Sequence, residues 1–154
     1  MNPGKVLSLI KSMGSVYQSM CEGICLEYGI QQPALDILLF LDNNPQYNTA
    51  RDICHVRCIR PNVVSFHVER LVADGYLERS PVEGDRRKIQ LSCTEKARQV
   101  TQKGRVVQQE FYEALHAGLC EEDRQVMRHC FQVIERNVHQ LQERPPHPRD
   151  GQDG

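Results

Sequence analysis

Apolar positions recur at helical spacing in six stretches of this chain and switch to short alternating runs at one place, between residues 77 and 92. Val6, Ile10, Met13, Tyr17, Met20 and Ile24 describe a long amphipathic helix over 5–28. Pro33 stands where a helix start accepts proline, ALDILLFLD reads as a buried helix, and Asn43-Asn44-Pro45 ends it. Thr49 is placed to cap a third helix whose Ala50, Ile53, Cys54 and Val56 point inward, with Asp52 near its positive end. Arg60-Pro61-Asn62 opens a fourth, with Val64, Val68 and Leu71 as its inner stripe, Val72 beside it and Gly75 closing it. Leu77–Ser80 and Lys88–Ser92 read as strands, with PVEGDRR as the exposed loop between them. A capping pattern at Ser92–Glu95, with Thr94 an equal candidate for the cap, starts a fifth helix running to about Gly118. Its face is Ala97, Thr101, Gly104, Gln108, Phe111 and Leu115. Glu121–Asp123 start the last helix, striped by Met127, Cys130, Phe131, Ile134, Val138 and Leu141.

The predicted fold class is therefore mainly α with a small two- to three-stranded β-wing. Two short helices, a tight connection and a β-hairpin make a winged helix-turn-helix, which presents one helix to the DNA major groove. Residues 33–94 form this domain, 5–30 and 95–142 a helical dimerisation region, and 145–154 a disordered tail without apolar content. The apolar faces at both chain ends need a partner, and the economical one is a second copy of the chain related by a two-fold axis.

Charge sharpens this picture. Residues 49–105 hold 12 Lys/Arg against 7 Asp/Glu, a net of +5, while the remainder holds 7 against 13, a net of −6. A basic island in a chain of net charge −1 is the footprint of phosphate contact, because released counterions supply much of non-specific DNA affinity. With 40% hydrophobic and 25% charged residues the composition is that of an ordinary globular protein. No run approaches the roughly 18 apolar residues of a membrane span. The first residues lack the long apolar core of a signal peptide, so a cytoplasmic location with no membrane partner is expected.

The hairpin region resembles the MarR-type winged-helix transcriptional regulators. That family's wing signature, Asp-x-Arg-x-x-x-Leu-x-Leu-Thr, is present as Asp85, Arg87, Leu91 and Thr94, with Cys93 in place of the second leucine. VSFHVERLVADGYLER is similar to the family's recognition helix and its turn into the wing, and EALHAGLCEEDRQVMRHCFQVIERNV to its dimerisation helices. The similarity spans roughly residues 5–142. It implies a homodimer on a pseudo-palindromic double-stranded operator, usually a repressor released by a small molecule or an oxidant. It also implies that Arg87 enters the minor groove with Asp85 orienting it. A narrow A·T groove attracts arginine through its negative potential.

On the reading helix Asn62, Val63, Ser65, Phe66 and Arg70 lie off the inner stripe, as does Glu69. Asparagine pairs with adenine, serine with a base or phosphate, and valine or phenylalanine meets a thymine methyl. Phe66 has the alternative of packing on the wing or a neighbouring helix. Arg86 and Arg87 at the wing, with Arg60, Lys88, Arg57 and Arg51, are the candidate phosphate and groove contacts. A solvated hairpin with Asp85 paired to an arginine is the bland alternative for the wing.

Seven cysteines, an odd number in a chain of this size, argue for reduced thiols. Cys54 and Cys58, with Arg57, Arg60 and His55 nearby, have the most electropositive setting and are the candidate redox pair. Cys21 and Cys25 sit among acidic and apolar residues that raise a thiol pKa, and Cys120 stands at a helix N-cap. The i,i+4 pairs Cys21/Cys25, Cys54/Cys58 and His116/Cys120 do not make a zinc site alone, so no metal or cofactor is expected. His67 reads as a packed residue. Tyr17, Met20, Cys21, Phe40 and Phe111 are candidates to line an effector pocket between dimer helices and DNA domain. Two further readings compete: a winged-helix protein-interaction module without DNA binding, and a thiol- or metal-sensing variant of the regulator. A thiol enzyme using Cys54 and His55 is disfavoured, because adjacent helical residues point about 100° apart, and the chain is expected not to be an enzyme.

Overall fold

The most apolar segment of the chain becomes its most buried helix. In a computed structural model, which describes residues 2–57, 59–82 and 84–143, the order is α1 (Pro3–Tyr28), α2 (Gln32–Asn43), α3 (Ala50–Arg57), α4 (Pro61–Ala73), β1 (Leu77–Val82), β2 (Asp85–Cys93), α5 (Glu95–Leu115) and α6 (Glu121–Gln142). These elements fall into two compact units that divide between Glu113 and Ala114. The mainly helical fold with a small wing is as expected, and the wing has two strands. Two strands meet the two- to three-stranded expectation, and beside them Leu91 N donates one backbone hydrogen bond to Asn48 O at 2.7 Å. The tail expected over 145–154 and Cys58 lie outside the described residues.

In the first unit, α2 buries Ala34, Leu35 and Ile37 through Leu41, and the core closes around it with Cys21, Ile24, Ile53, Val64, Val68, Leu71, Leu77, Leu91, Ala97 and Val100. Gly104 explains how α5 approaches so closely. A Cβ built there would lie 2.8 Å from Leu39 Cδ2, so only glycine fits without displacing a buried leucine. On α3 only Ile53 is fully buried; Cys54 is half-buried, and Ala50 and Val56 face outward against expectation. The eight residues make about two turns, and Ala50 and Val56 lie about 60° to either side of Ile53, at the edges of the buried face. The Thr49 cap forms as a reciprocal box, in which Thr49 N donates to Asp52 Oδ2 at 2.9 Å and Asp52 N to Thr49 Oγ1 at 3.2 Å.

Helix α4 ends in a Schellman turn. Tyr76 N donates to Leu71 O at 2.8 Å and Gly75 N to Val72 O at 3.0 Å, with Gly75 at φ 76°. The hairpin is longer than expected. Pro81 and Val82 continue β1, Asp85–Arg87 begin β2, and the register shifts between Pro81 and Val82. A two-stranded sheet has no third strand to demand the missing Pro81 N–H, so the proline does not end pairing. Thr94, not Ser92, caps α5, and its hydroxyl also donates to Gly75 O at 2.7 Å, tying the base of the wing to the end of α4. Helix α5 stops at Leu115, three residues short of the expected end, and Gly118 follows at φ 84°.

In the second unit α6 is capped by Cys120, whose N–H and thiol both donate to Asp123 Oδ2. Arg124 donates to the carbonyls of His116 and Leu119. Among the described residues no single helix is long and apolar enough to cross a membrane.

Candidate nucleic-acid interface

Helix α4 divides its residues between two environments. Val64, Val68, Leu71 and His67 turn into the core, while Asn62, Ser65, Phe66, Glu69 and Arg70 are exposed and Val63 is half-buried. Pro61 opens the helix with Arg60 before it, so Asn62, Val63, Ser65 and Phe66 all fall in the first two turns. Phe66 is 53% exposed, with the Arg70 guanidinium 5.8 Å from its ring centre and the His67 ring set edge-on at 5.1 Å. The aromatic thus lies along the outer surface of its own helix. Burial, with Arg70 beside it, holds His67 below the ordinary imidazole pKa and so in the neutral form.

The wing turns at Gly84, whose φ of 82° lets the chain reverse between the two strands. Asp85 Oδ1 accepts the backbone N–H of Arg87 at 3.1 Å, and its other oxygen lies 4.0 Å from Lys88 Nζ. Asp85 therefore braces the peptide that carries Arg87, and the Arg87 side chain is exposed. Arg86 precedes it in β2.

Ion pairing separates the cations of the basic region. Arg57 lies 3.8 Å from Asp36, Arg79 forks onto Glu69, Arg98 pairs with Glu95, and Lys103 pairs with Glu27. Arg51, Arg60, Arg70 and Arg87 have no carboxylate within ion-pair distance among the described residues. Their charge is free for phosphate. Sequence reading did not separate the paired from the unpaired arginines, since Glu69 and Arg79 meet only because the Schellman turn folds β1 back along α4.

A groove of about 590 Å³ also went unseen in the sequence. It runs between the inner side of α3 and α4 (Cys54, Pro61, Val64, Val68) and the hairpin (Arg79, Ile89, Leu91), with Arg51 and Ser65 in its lining.

The five effector-pocket candidates all belong to the first unit. The Tyr17 and Phe111 rings pack tilted at 52° with centres 5.4 Å apart, Cys21 and Phe40 are buried, and Met20 is half-buried. The Tyr17 hydroxyl is buried, with the Cys21 and Gln108 side chains as its polar neighbours. Burial first, then the neighbouring Cys21, pushes its pKa well above the usual range. The six described cysteines are free thiols. Burial, then Cys21, Asp36 and Glu22, raises Cys25, and burial pushes Cys93 up to about 11, so neither is a ready thiolate. Cys54 is half-buried in the groove wall. Among the described residues no three His, Cys, Asp or Glu side chains gather as a metal site.

A family model described as the MarR family matches residues 28–88. Among solved structures, a MarR protein from Peptoclostridium difficile superposes with a TM-score of 0.77 at 16% identity, over 92% of this chain and 92% of that one. A MarR-family regulator from Listeria monocytogenes, solved with a 26mer DNA, gives 0.77 at 14% identity over 87% and 89%. The Staphylococcus aureus MepR–DNA complex gives 0.73 at 15% over 89% and 96%. Among curated proteins none matches this chain. The resemblance read from the wing is borne out: residues 28–88 match the MarR family model, and the chain shares the winged-helix fold of the solved MarR-family structures.

Proposed function

We propose that the protein is a sequence-specific transcriptional regulator that binds double-stranded DNA as a homodimer, with α4 in the major groove and the wing in the adjacent minor groove. One observation carries this reading. The outer face of α4 and the braced Arg87 are exposed within the basic stretch 49–105, where Arg51, Arg60, Arg70 and Arg87 have no carboxylate partner among the described residues. Asn62 and Ser65 read base edges, Phe66 and Val63 meet thymine methyls, and the arginines with Lys88 hold phosphates. Two of the structural neighbours were solved on DNA, which supports the same use of the fold here.

Dimerisation rests on apolar surface. Helix α6 buries no residue, with Phe131 55% and Ile134 54% exposed, and α1 exposes Leu7, Leu9 and Ile10. A two-fold pair that covers these faces sets two copies of α4 about one turn of DNA apart. Repression relieved by a small molecule is the regulatory reading. The buried Tyr17 hydroxyl, with Phe111, Cys21 and Gln108 beside it, supports an effector contact there, because a polar group set in an apolar wall can orient a ligand.

The test is a mobility shift on duplexes enriched from a random-sequence pool, across a salt series, with Arg87→Ala alongside. Salt-sensitive binding that weakens by about 1–3 kcal/mol in the variant supports the reading. Binding that ignores salt and Arg87 removes it.

A further inference from the structure

The joint between α4 and the wing is fixed at its base and opens into a groove beyond it. At the base, Thr94 Oγ1 donates to Gly75 O, Thr94 N donates to Tyr76 O at 3.0 Å, and Leu77 and Leu91 are buried. Farther out, a groove of about 590 Å³ opens between the hairpin and α3 and α4, so the outer part of the hairpin is held by fewer side-chain contacts than its base. Among the described residues the polar side-chain link across this joint is a two-pronged ion pair. Arg79 Nη2 donates to Glu69 Oε1 at 2.6 Å and Nη1 to Oε2 at 3.4 Å. Glu69 stands on the exposed side of α4, one turn beyond Ser65 and Phe66, and Arg79 is the third residue of β1. The hydrogen bonds from Arg79 also hold the Glu69 carboxyl below its ordinary pKa, so it stays charged.

We propose that Glu69 and Arg79 are positioning residues that lock the wing at a fixed angle to the reading helix, so that the base contacts of α4 and the minor-groove contact of Arg87 are made by one duplex at once. A fork of this kind constrains both distance and direction, because guanidinium and carboxylate meet along two parallel bonds. It is solvent-exposed, with side chains 39% and 63% accessible, and exposed pairs add little to stability. Its effect is on geometry. The inference rests on the DNA-binding reading above.

The sign of one substitution separates positioning from simple charge. Removing a carboxylate beside a DNA-reading face should tighten binding if only charge matters, since phosphate repulsion falls. As a positioning residue, Glu69→Ala instead weakens binding by about tenfold on a duplex enriched by the native protein, with its thermal midpoint shifted by no more than about 2 °C. Glu69→Arg/Arg79→Glu, which rebuilds the pair reversed, binds more tightly than either single change. Arg87→Ala costs less in the Glu69→Ala background than in the native chain, because the wing is already displaced. Equal or tighter binding by Glu69→Ala, no rescue by the reversed pair, or additive effects of Glu69 and Arg87 would each overturn the positioning role. Failure of the native protein to bind any duplex would fall on the DNA-binding reading instead.

Discussion

Helices α2 and α6 carry similar amounts of apolar side chain and spend it differently. In α2 seven residues, Ala34, Leu35 and Ile37 through Leu41, are buried by the chain's own winged-helix unit. In α6 none is buried, although Phe131, Ile134, Val138 and Leu141 form a stripe at helical spacing. The first helix organises a single chain. The second leaves its apolar stripe exposed, and stripes of this width occur where a helix packs against another element, which fits the proposed dimer. Helix α1 shows both patterns in sequence, with Leu7, Leu9 and Ile10 exposed toward its start and Cys21 and Ile24 buried toward its end.

Substitutions that act on one helix but not the other sharpen this contrast. The largest effect belongs to Leu38→Ala, expected to cost about 2–5 kcal/mol in urea unfolding through the cavity it leaves. Ile134→Ala should leave the winged-helix transition unchanged at a protomer concentration too low for association. Next comes Ile134→Asp, which places a charge where a second copy would cover it, at about 3 kcal/mol of association energy. Sedimentation should then show single protomers with native helix content, and an unchanged dimer would remove α6 from the interface. Smaller again is Arg87→Ala, which should lower DNA affinity by about 1–3 kcal/mol and reduce the salt slope by about one while the dimer persists. Thr49→Ala removes the cap of α3 and should cost about 1 kcal/mol of stability with the oligomeric state unaltered.

The smallest effect is the pH dependence at His67. Its folded pKa lies below the usual 6.5, so the unfolded chain takes up a proton first as pH falls through that value. Stability contributed by the neutral ring is therefore complete above 6.5 and declines below it. Urea midpoints measured from pH 7.5 downward should fall more steeply for the native chain than for His67→Gln. Equal slopes would mean that the ring is not held neutral by its burial.

What the sequence revealed, and what it hid, follows the range of the interactions. The stripe of α4, the turn at Gly75 and the wing signature were legible because each depends on neighbours within a few residues. The Thr49 cap was legible for the same reason. The strand lengths were not, because Pro81 and Gly84 carry loop signals, whereas a hairpin without a third strand accommodates a proline and needs one positive φ. The outward turn of Ala50 and Val56 was hidden because both flank Ile53 at about 60°, and residue order does not say how wide a face the core covers. The fork between Glu69 and Arg79, and the pairing that removes some arginines from the basic surface while leaving others free, depend on how the hairpin folds back. Neither has a signature in residue order.

The central claim is a pair of winged helices gripping one duplex through free arginines. The direct measurement is the stoichiometry and salt dependence of binding to an enriched duplex, read together by fluorescence anisotropy under stoichiometric and dilute conditions. Two protomers per duplex are expected, with affinity falling linearly in logarithmic terms as salt rises. One protomer per duplex, or no binding at low ionic strength, would contradict it.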